Sequence, residues 1–214
     1  MKKRLPLCLV LALLLSLLAT QGQASQAAGR TIITGTTSIP DITIEVVVPA
    51  AGNVYINPKR LPVKIGADVE DRQIISEPFY IQNQSDVPIQ ADVEVTGSVN
   101  RGSDILLVAE STANSTAVTK RVFMYFEMQT VDSPGEENWA GGYDAEQHIV
   151  VRESTKTVKN LVILGAADQD KCYGAFRLTG DCIENPRDEW NSKDGVTVEI
   201  VFTFAPLPVG TEVP

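Results

Sequence analysis

The sequence predicts an all-β fold: an antiparallel β-sandwich or jelly roll of about ten strands behind a flexible amino-terminal arm. Three observations predict it. From Pro40 onward, apolar residues recur with a period of two, not that of a helix. Short apolar runs are separated by Gly, Pro, Asn and Asp at turn-like spacing. No segment carries a sustained helical stripe with capping residues at its ends.

The first residues stand apart from this pattern. Met1-Lys2-Lys3-Arg4 precedes an apolar run from Leu5 to Leu18, broken only by Pro6 and Ser16, and then Thr20-Gln21-Gly22-Gln23-Ala24. Basic region, leucine-rich stretch and small-residue cleavage site make residues 1–24 an export signal, with Gly22 and Ala24 at −3 and −1 and Ala28 as the second choice of cut. The run is shorter than the roughly 20 residues of a spanning helix. The mature chain is therefore expected to be secreted and cell-surface associated, with no membrane span. Cys8 lies inside the apolar run, too early to be a lipidation site. Loss of the leader leaves 15 basic against 27 acidic side chains, a formal charge of −12. That charge disfavours nucleic acid and anionic membrane as partners.

The elements follow in order. Residues 25–41 are small and polar and read as the arm. Residues 42–48 form a strand with Ile42, Ile44, Val46 and Val48 on one face, stopped by Pro49 and Gly52. Residues 53–56 are a short strand, and Pro58, Pro62 and Gly66 break the chain after it. Residues 74–82 are a strand weakened by Pro78, which cannot donate to a ladder. After a turn at 83–86, residues 88–97 show the cleanest alternation, Ile89, Ala91, Val93 and Val95 against Gln90, Asp92, Glu94 and Thr96. This predicts one buried and one wet face. Residues 104–109 are a further strand. Residues 118–128 carry apolar groups on both faces, as a doubly covered central strand does. Strands are expected again at 147–152, 158–164, 171–179 and 195–204. Loops at 132–144 and 181–194 carry Trp139, Tyr143 and Trp190. The sandwich domain spans 42–206, and 207–214 is an extended tail.

Chemistry-bearing motifs are sparse. His148, the only histidine, lies inside a strand pattern with no nucleophile motif around it and reads as a packing or surface residue. No Gly-x-Ser-x-Gly elbow, His-Glu-x-x-His motif or phosphate-binding glycine loop is present. The expectation is a protein without catalytic residues or cofactor. Asp168 and Asp170, and the cluster Asp132, Glu136 and Glu137, are oxygen-rich and raise calcium as a ligand, although their spacing fits no calcium loop. Cys172 and Cys182 remain after processing, and an exported chain with two cysteines leads to the expectation of a disulfide. Trp139, Tyr143 and Trp190 either cap the ends of the sandwich or stack on sugar rings, giving a glycan-binding alternative. Asn83-Gln84-Ser85 and Asn114-Ser115-Thr116 match the glycosylation sequon by chance and point to exposed loops. Leu207-Pro208-Val209-Gly210-Thr211 departs from a sortase signal, so a surface location requires partners or self-assembly. The β-forming stretch Ile42, Ile44, Val46, Val48 behind an arm is either an ordinary first strand or a donor to the sheet edge of another subunit.

The stretch Pro78-Phe79-Tyr80-Ile81-Gln82-Asn83-Gln84-Ser85-Asp86-Val87-Pro88-Ile89, continuing to Val95, resembles a strand–turn–strand of secreted Gram-positive β-sandwich proteins. The TasA and camelysin-like biofilm fibre proteins are one such group, and uncharacterised clostridial surface families are another. The closing Val198-Glu199-Ile200-Val201-Phe202-Thr203-Phe204 is similar in style. The resemblance implies a jelly-roll subunit of an extracellular fibre or pilus and assigns no functional residue. Cys172 and Cys182 depart from the TasA group. The leading expectation is an exported structural or interaction protein. A carbohydrate-binding module is the alternative.

Overall fold

The computed structural model describes residues 44–65, 68–139 and 142–207. The expected leader, the arm and Ile42 lie outside the described residues, as does the tail beyond Leu207. The described residues form thirteen strands in antiparallel sheets, with one parallel pairing, and none of them is helical. The all-β expectation holds.

The larger sheet is built on two long neighbours, β9 (Arg121–Val131) and β12 (Tyr173–Cys182). They pair antiparallel without interruption, from Tyr173 opposite Val131 to Cys182 opposite Val122. Two short strands share the other edge of β12. β6 (Phe79–Asn83) pairs with its first half, and β5 (Ile74–Ser76) pairs at Gly180. β1 (Val46–Val47) lies outside β6, and β2 (Val54–Ile56) outside β5. On the far edge of β9 sit β10 (Ile149–Val150), antiparallel, and β8 (Leu106–Leu107), parallel.

The expected strand 74–82 is thus two strands, with Pro78 in the gap between them. The Ser76 hydroxyl stands in for the missing ladder partner. It accepts from the Leu178 N–H at 2.9 Å and donates to the Leu178 carbonyl at 3.1 Å. The hairpin of β3 (Val63–Ile65) and β4 (Asp68–Glu70) was not expected in the region broken by Pro58, Pro62 and Gly66. It is fastened by the buried Asn57, whose amide donates to the Leu61 and Arg72 carbonyls and accepts from the Leu61 N–H.

The second sheet has three strands, β11 (Lys156–Leu164), β7 (Ile89–Val99) and β13 (Val196–Pro206), with β7 in the middle. Along β7, Ile89, Ala91, Val93 and Val95 are fully buried and Glu94 is exposed, as the alternation predicts. The sheets meet around Phe176 of β12. Its ring lies 5.2 Å from Phe79 and 5.4 Å from Phe126, both in its own sheet, and 5.3 Å from Phe202 of β13 across the sandwich. Each buried phenylalanine contributes about 1.5–3 kcal/mol by leaving water. β9 is covered on both sides, as expected. Val122, Met124 and Phe126 enter this core, while Phe123 and Tyr125 form a second cluster on the outer face with Val150.

The turn after β6 is a buried polar hub. Asn83 is fully buried, and its amide donates to the carbonyls of Val87 at 2.9 Å and Gly165 at 2.7 Å. Its carbonyl oxygen accepts from the Ser85 N–H, and the Ser85 hydroxyl accepts from the Glu45 N–H. The Asn83 sequon is therefore no exposed loop, whereas Asn114 is exposed as expected. A second buried polar group, Lys120, joins the segments before β8 and β13 through Asp104 at 2.8 Å and Asp194 at 2.9 Å.

The expected disulfide is corrected. Cys172 and Cys182 are both free and buried, one just before β12 and one at its far end. A strand rises about 3.3 Å per residue, which places the two Cα atoms on the order of 30 Å apart. A disulfide needs about 4.4–6.8 Å. Burial also pushes both thiols away from ionisation, Cys182 to about 12. Ellman's reagent should therefore label neither thiol of the native mature protein within minutes, and both in denaturant. Rapid native labelling would show that β12 does not bury its ends.

Gly180 permits the closest approach in the large sheet. Its φ is +145°, and an added Cβ would stand 2.0 Å from the Phe123 carbonyl oxygen. Gly180→Ala should lower unfolding free energy by about 2–4 kcal/mol, through backbone strain and overpacking. A urea midpoint unchanged from the parent would contradict this packing.

Candidate functional site

The outer face of the β9–β12 ladder carries a group of polar side chains around a cavity. Alternation puts Phe123, Tyr125, Glu127 and Gln129 of β9 on this face, beside Arg177 of β12. Arg177 stands opposite Glu127 in the ladder, and its Nε donates to Glu127 Oε1. The loop after β9 returns over this pair and lays the Trp139 ring against the Arg177 guanidinium, 4.5 Å from its carbon to the ring centroid. Such a contact is worth about 0.5–2 kcal/mol and holds the indole in place.

His148 closes the other end. Its Nε2 lies 3.5 Å from Glu127 Oε2, and its ring stacks on Tyr125 at 4.9 Å. The Asp144 N–H donates to His148 Nδ1 at 2.9 Å, while the backbone N–H of His148 donates to the Asp144 carbonyl at 2.8 Å. An accepting Nδ1 places the neutral ring's proton on Nε2, towards Glu127. Burial lowers the His148 pKa below its ordinary value, against the pull of Glu127 and Asp144. The neutral imidazole therefore holds the 144–148 turn onto β9 through its Nδ1 bond and its stacking on Tyr125.

Between these groups is a cavity of about 320 Å³, walled by Glu127, Gln129, Asn138, Trp139, Asp144 and His148 among others. Gln129 accepts from the Asn138 N–H at 3.2 Å through its carbonyl oxygen, whereas its Nε2 is buried without a partner.

The structure brings only part of the sequence-predicted aromatic set here. Trp139 is on the cavity wall. Tyr143 is beside it, packed 5.1 Å from both Phe123 and Tyr125. Trp190 is elsewhere. It packs against the main core and donates from Nε1 to the Ile183 carbonyl at 3.1 Å, a capping role. Glu127, Gln129 and Arg177 were missed in the sequence. Their signal was a polar side chain at every second position of otherwise apolar strands. The acidic loops raised for calcium bond to their own surroundings. Glu137 accepts from the Tyr80 hydroxyl at 2.7 Å and Asp132 from the Lys171 N–H at 3.1 Å, while Asp168, Asp170 and Glu136 are exposed. Among the described residues no three His, Cys, Asp or Glu side chains are grouped to hold a metal ion.

A second feature lies along β13. One edge of this strand pairs with β7, and among the described residues no strand pairs with the other. Phe202 and Phe204 are buried, but Val196, Val198 and Ile200 on the same inner face are only partly so. They line an open apolar cleft of about 320 Å³, facing Phe79, Phe176 and residues 49–54. Of the expected donor strand, Ile44, Val46 and Val48 pack against the core of their own subunit, with Val46 and Val47 opposite Asn83 and Gln82.

No protein-family model matches the chain, and neither a curated protein nor a solved structure gives a significant match.

The His148 clamp sets a pH dependence. With the folded pKa below the unfolded value of about 6.5, its stabilisation is complete above that pH and is lost as pH falls through the folded pKa. The His148 ring should titrate below 6.5 by proton NMR, and the urea midpoint should fall between pH 7 and pH 5. A midpoint at or above 6.5 would remove the clamp.

Proposed function

We propose that this is an exported, non-catalytic structural protein that joins a bacterial surface fibre by strand addition between copies. The open side of the sandwich carries the reading. β13 is long, its outer edge is unpaired among the described residues, and its inner face stands over an open cleft lined mainly by apolar residues. An exposed edge with an apolar face is the template that strand addition uses, main-chain bonds giving affinity and side-chain pockets giving register. Glu199 is the one charged side chain along β13, between the apolar Val198 and Ile200.

The donor is the amino-terminal segment of a neighbouring copy. Val46 and Val47 pair with β6 of their own subunit, and Ile44 and Val48 pack against its core, so the donated stretch lies before Ile44 and includes Ile42. Export, the acidic surface and the resemblance to biofilm fibre subunits agree with this reading.

Light scattering and negative-stain electron microscopy of the mature protein, residues 25–214, test it. Filaments or higher oligomers are expected. Val198→Glu, Ile200→Lys and a chain beginning at Ile44 should remain monomeric at tenfold higher concentration. A mature protein that is monomeric throughout, or variants that polymerise like the parent, would refute the proposal.

A further inference from the structure

We infer that the cavity on the outer face of the β9–β12 ladder is a binding site for a neutral saccharide. Three observations converge there. Gln129 Nε2 is a buried donor with no acceptor, on the residue whose carbonyl oxygen is already held by the Asn138 N–H. Its orientation is therefore set, and an unsatisfied donor is left on a residue of the cavity wall. Trp139 supplies an aromatic wall, pinned by Arg177 at 4.5 Å. The cavity volume, about 320 Å³, falls at the small end of the roughly 300–1,000 Å³ of ligand sites.

Charge narrows the class. The Arg177 cation is committed to Glu127 and to the Trp139 ring, so it offers little to an anion. The Asp144 carboxylate on the wall repels one. A metal cation lacks its ligand set among the described residues. What fits is an uncharged ring with a C–H face for the indole, an oxygen for the Gln129 donor and hydroxyls for carboxylate and amide acceptors. A hexopyranose has all three. The site is formed within one copy and lies on a different face from the β13 cleft, so it does not depend on fibre assembly.

The test is titration of the mature protein with a panel of neutral saccharides (glucose, galactose, mannose and N-acetylglucosamine, with their short oligomers). Saturation-transfer NMR and calorimetry are the readouts. Gln129→Glu is the informative variant. It keeps the acceptor for the Asn138 N–H and replaces the unpartnered donor with an acceptor. At least one saccharide should bind, with Kd raised at least tenfold by Gln129→Glu and by Trp139→Ala and changed less than twofold by Trp190→Phe. Gln129→Glu places a carboxylate oxygen where a buried amide nitrogen stood and should lower the melting midpoint, so binding is compared at a temperature where circular dichroism shows parent and variants equally folded, which separates loss of binding from loss of fold. No binding by any saccharide overturns the inference. So does binding that Gln129→Glu leaves unchanged, or that Trp190→Phe weakens as much.

Discussion

The uninterrupted ladder between β9 and β12 is the constraint on which the other features depend. Because the two strands stay in register over their shared length, alternation sorts every side chain of both between two faces. Phe126 and Phe176 go inward to meet Phe202, and the core forms there. Glu127 and Arg177 go outward as a cross-strand pair, and the polar cavity forms on them. A slip of one residue would exchange the two sets, burying the ion pair and exposing the aromatics. Gly180 keeps that register, since its missing side chain lets β12 run against the Phe123 carbonyl.

How much of this was legible in the sequence depended on range. Alternation along β7 and β13 specified their inner faces correctly, because a half-buried strand writes its burial into its own residues. The doubly covered β9 was legible for the same reason. Pro78 marked a weakness that became a break, but nothing local indicated that Ser76 would satisfy Leu178, about a hundred residues away. The disulfide expectation failed on where β12 ends. The sequence pattern ends that strand at 179 and places Cys182 in the following loop, whereas β12 runs on through Gly180 to Cys182, and two cysteines at opposite ends of one extended segment cannot meet.

The candidate site was half legible for a related reason. Loop aromatics announce themselves by composition, so Trp139 and Tyr143 stood out, as did Trp190, which turned out to be a cap. Glu127, Gln129 and Arg177 belong to strands, and their importance comes from which strands become neighbours. Asn83 shows the opposite case. Its sequon pointed to solvent, whereas the four-residue return to Val87 and the approach of Gly165 enclose it. The hub it forms joins β1, β6, β7 and the turn after β11.

The two ends of the described chain are tied down very unequally. At the amino end, β1 holds β6 through two ladder positions and the bonds of Glu45 to Gln84 and Ser85, while at the carboxyl end β13 pairs with β7 along all of Val196–Pro206. Under mechanical load the short ladder is the first to part. Tension drawn through the amino terminus would peel β1 away and lengthen the molecule by a few residues before the β9–β12 ladder and the aromatic core yield. Such an arrangement behaves as a shock absorber in series with a stiff body, yielding under a small force and re-forming when the force is removed.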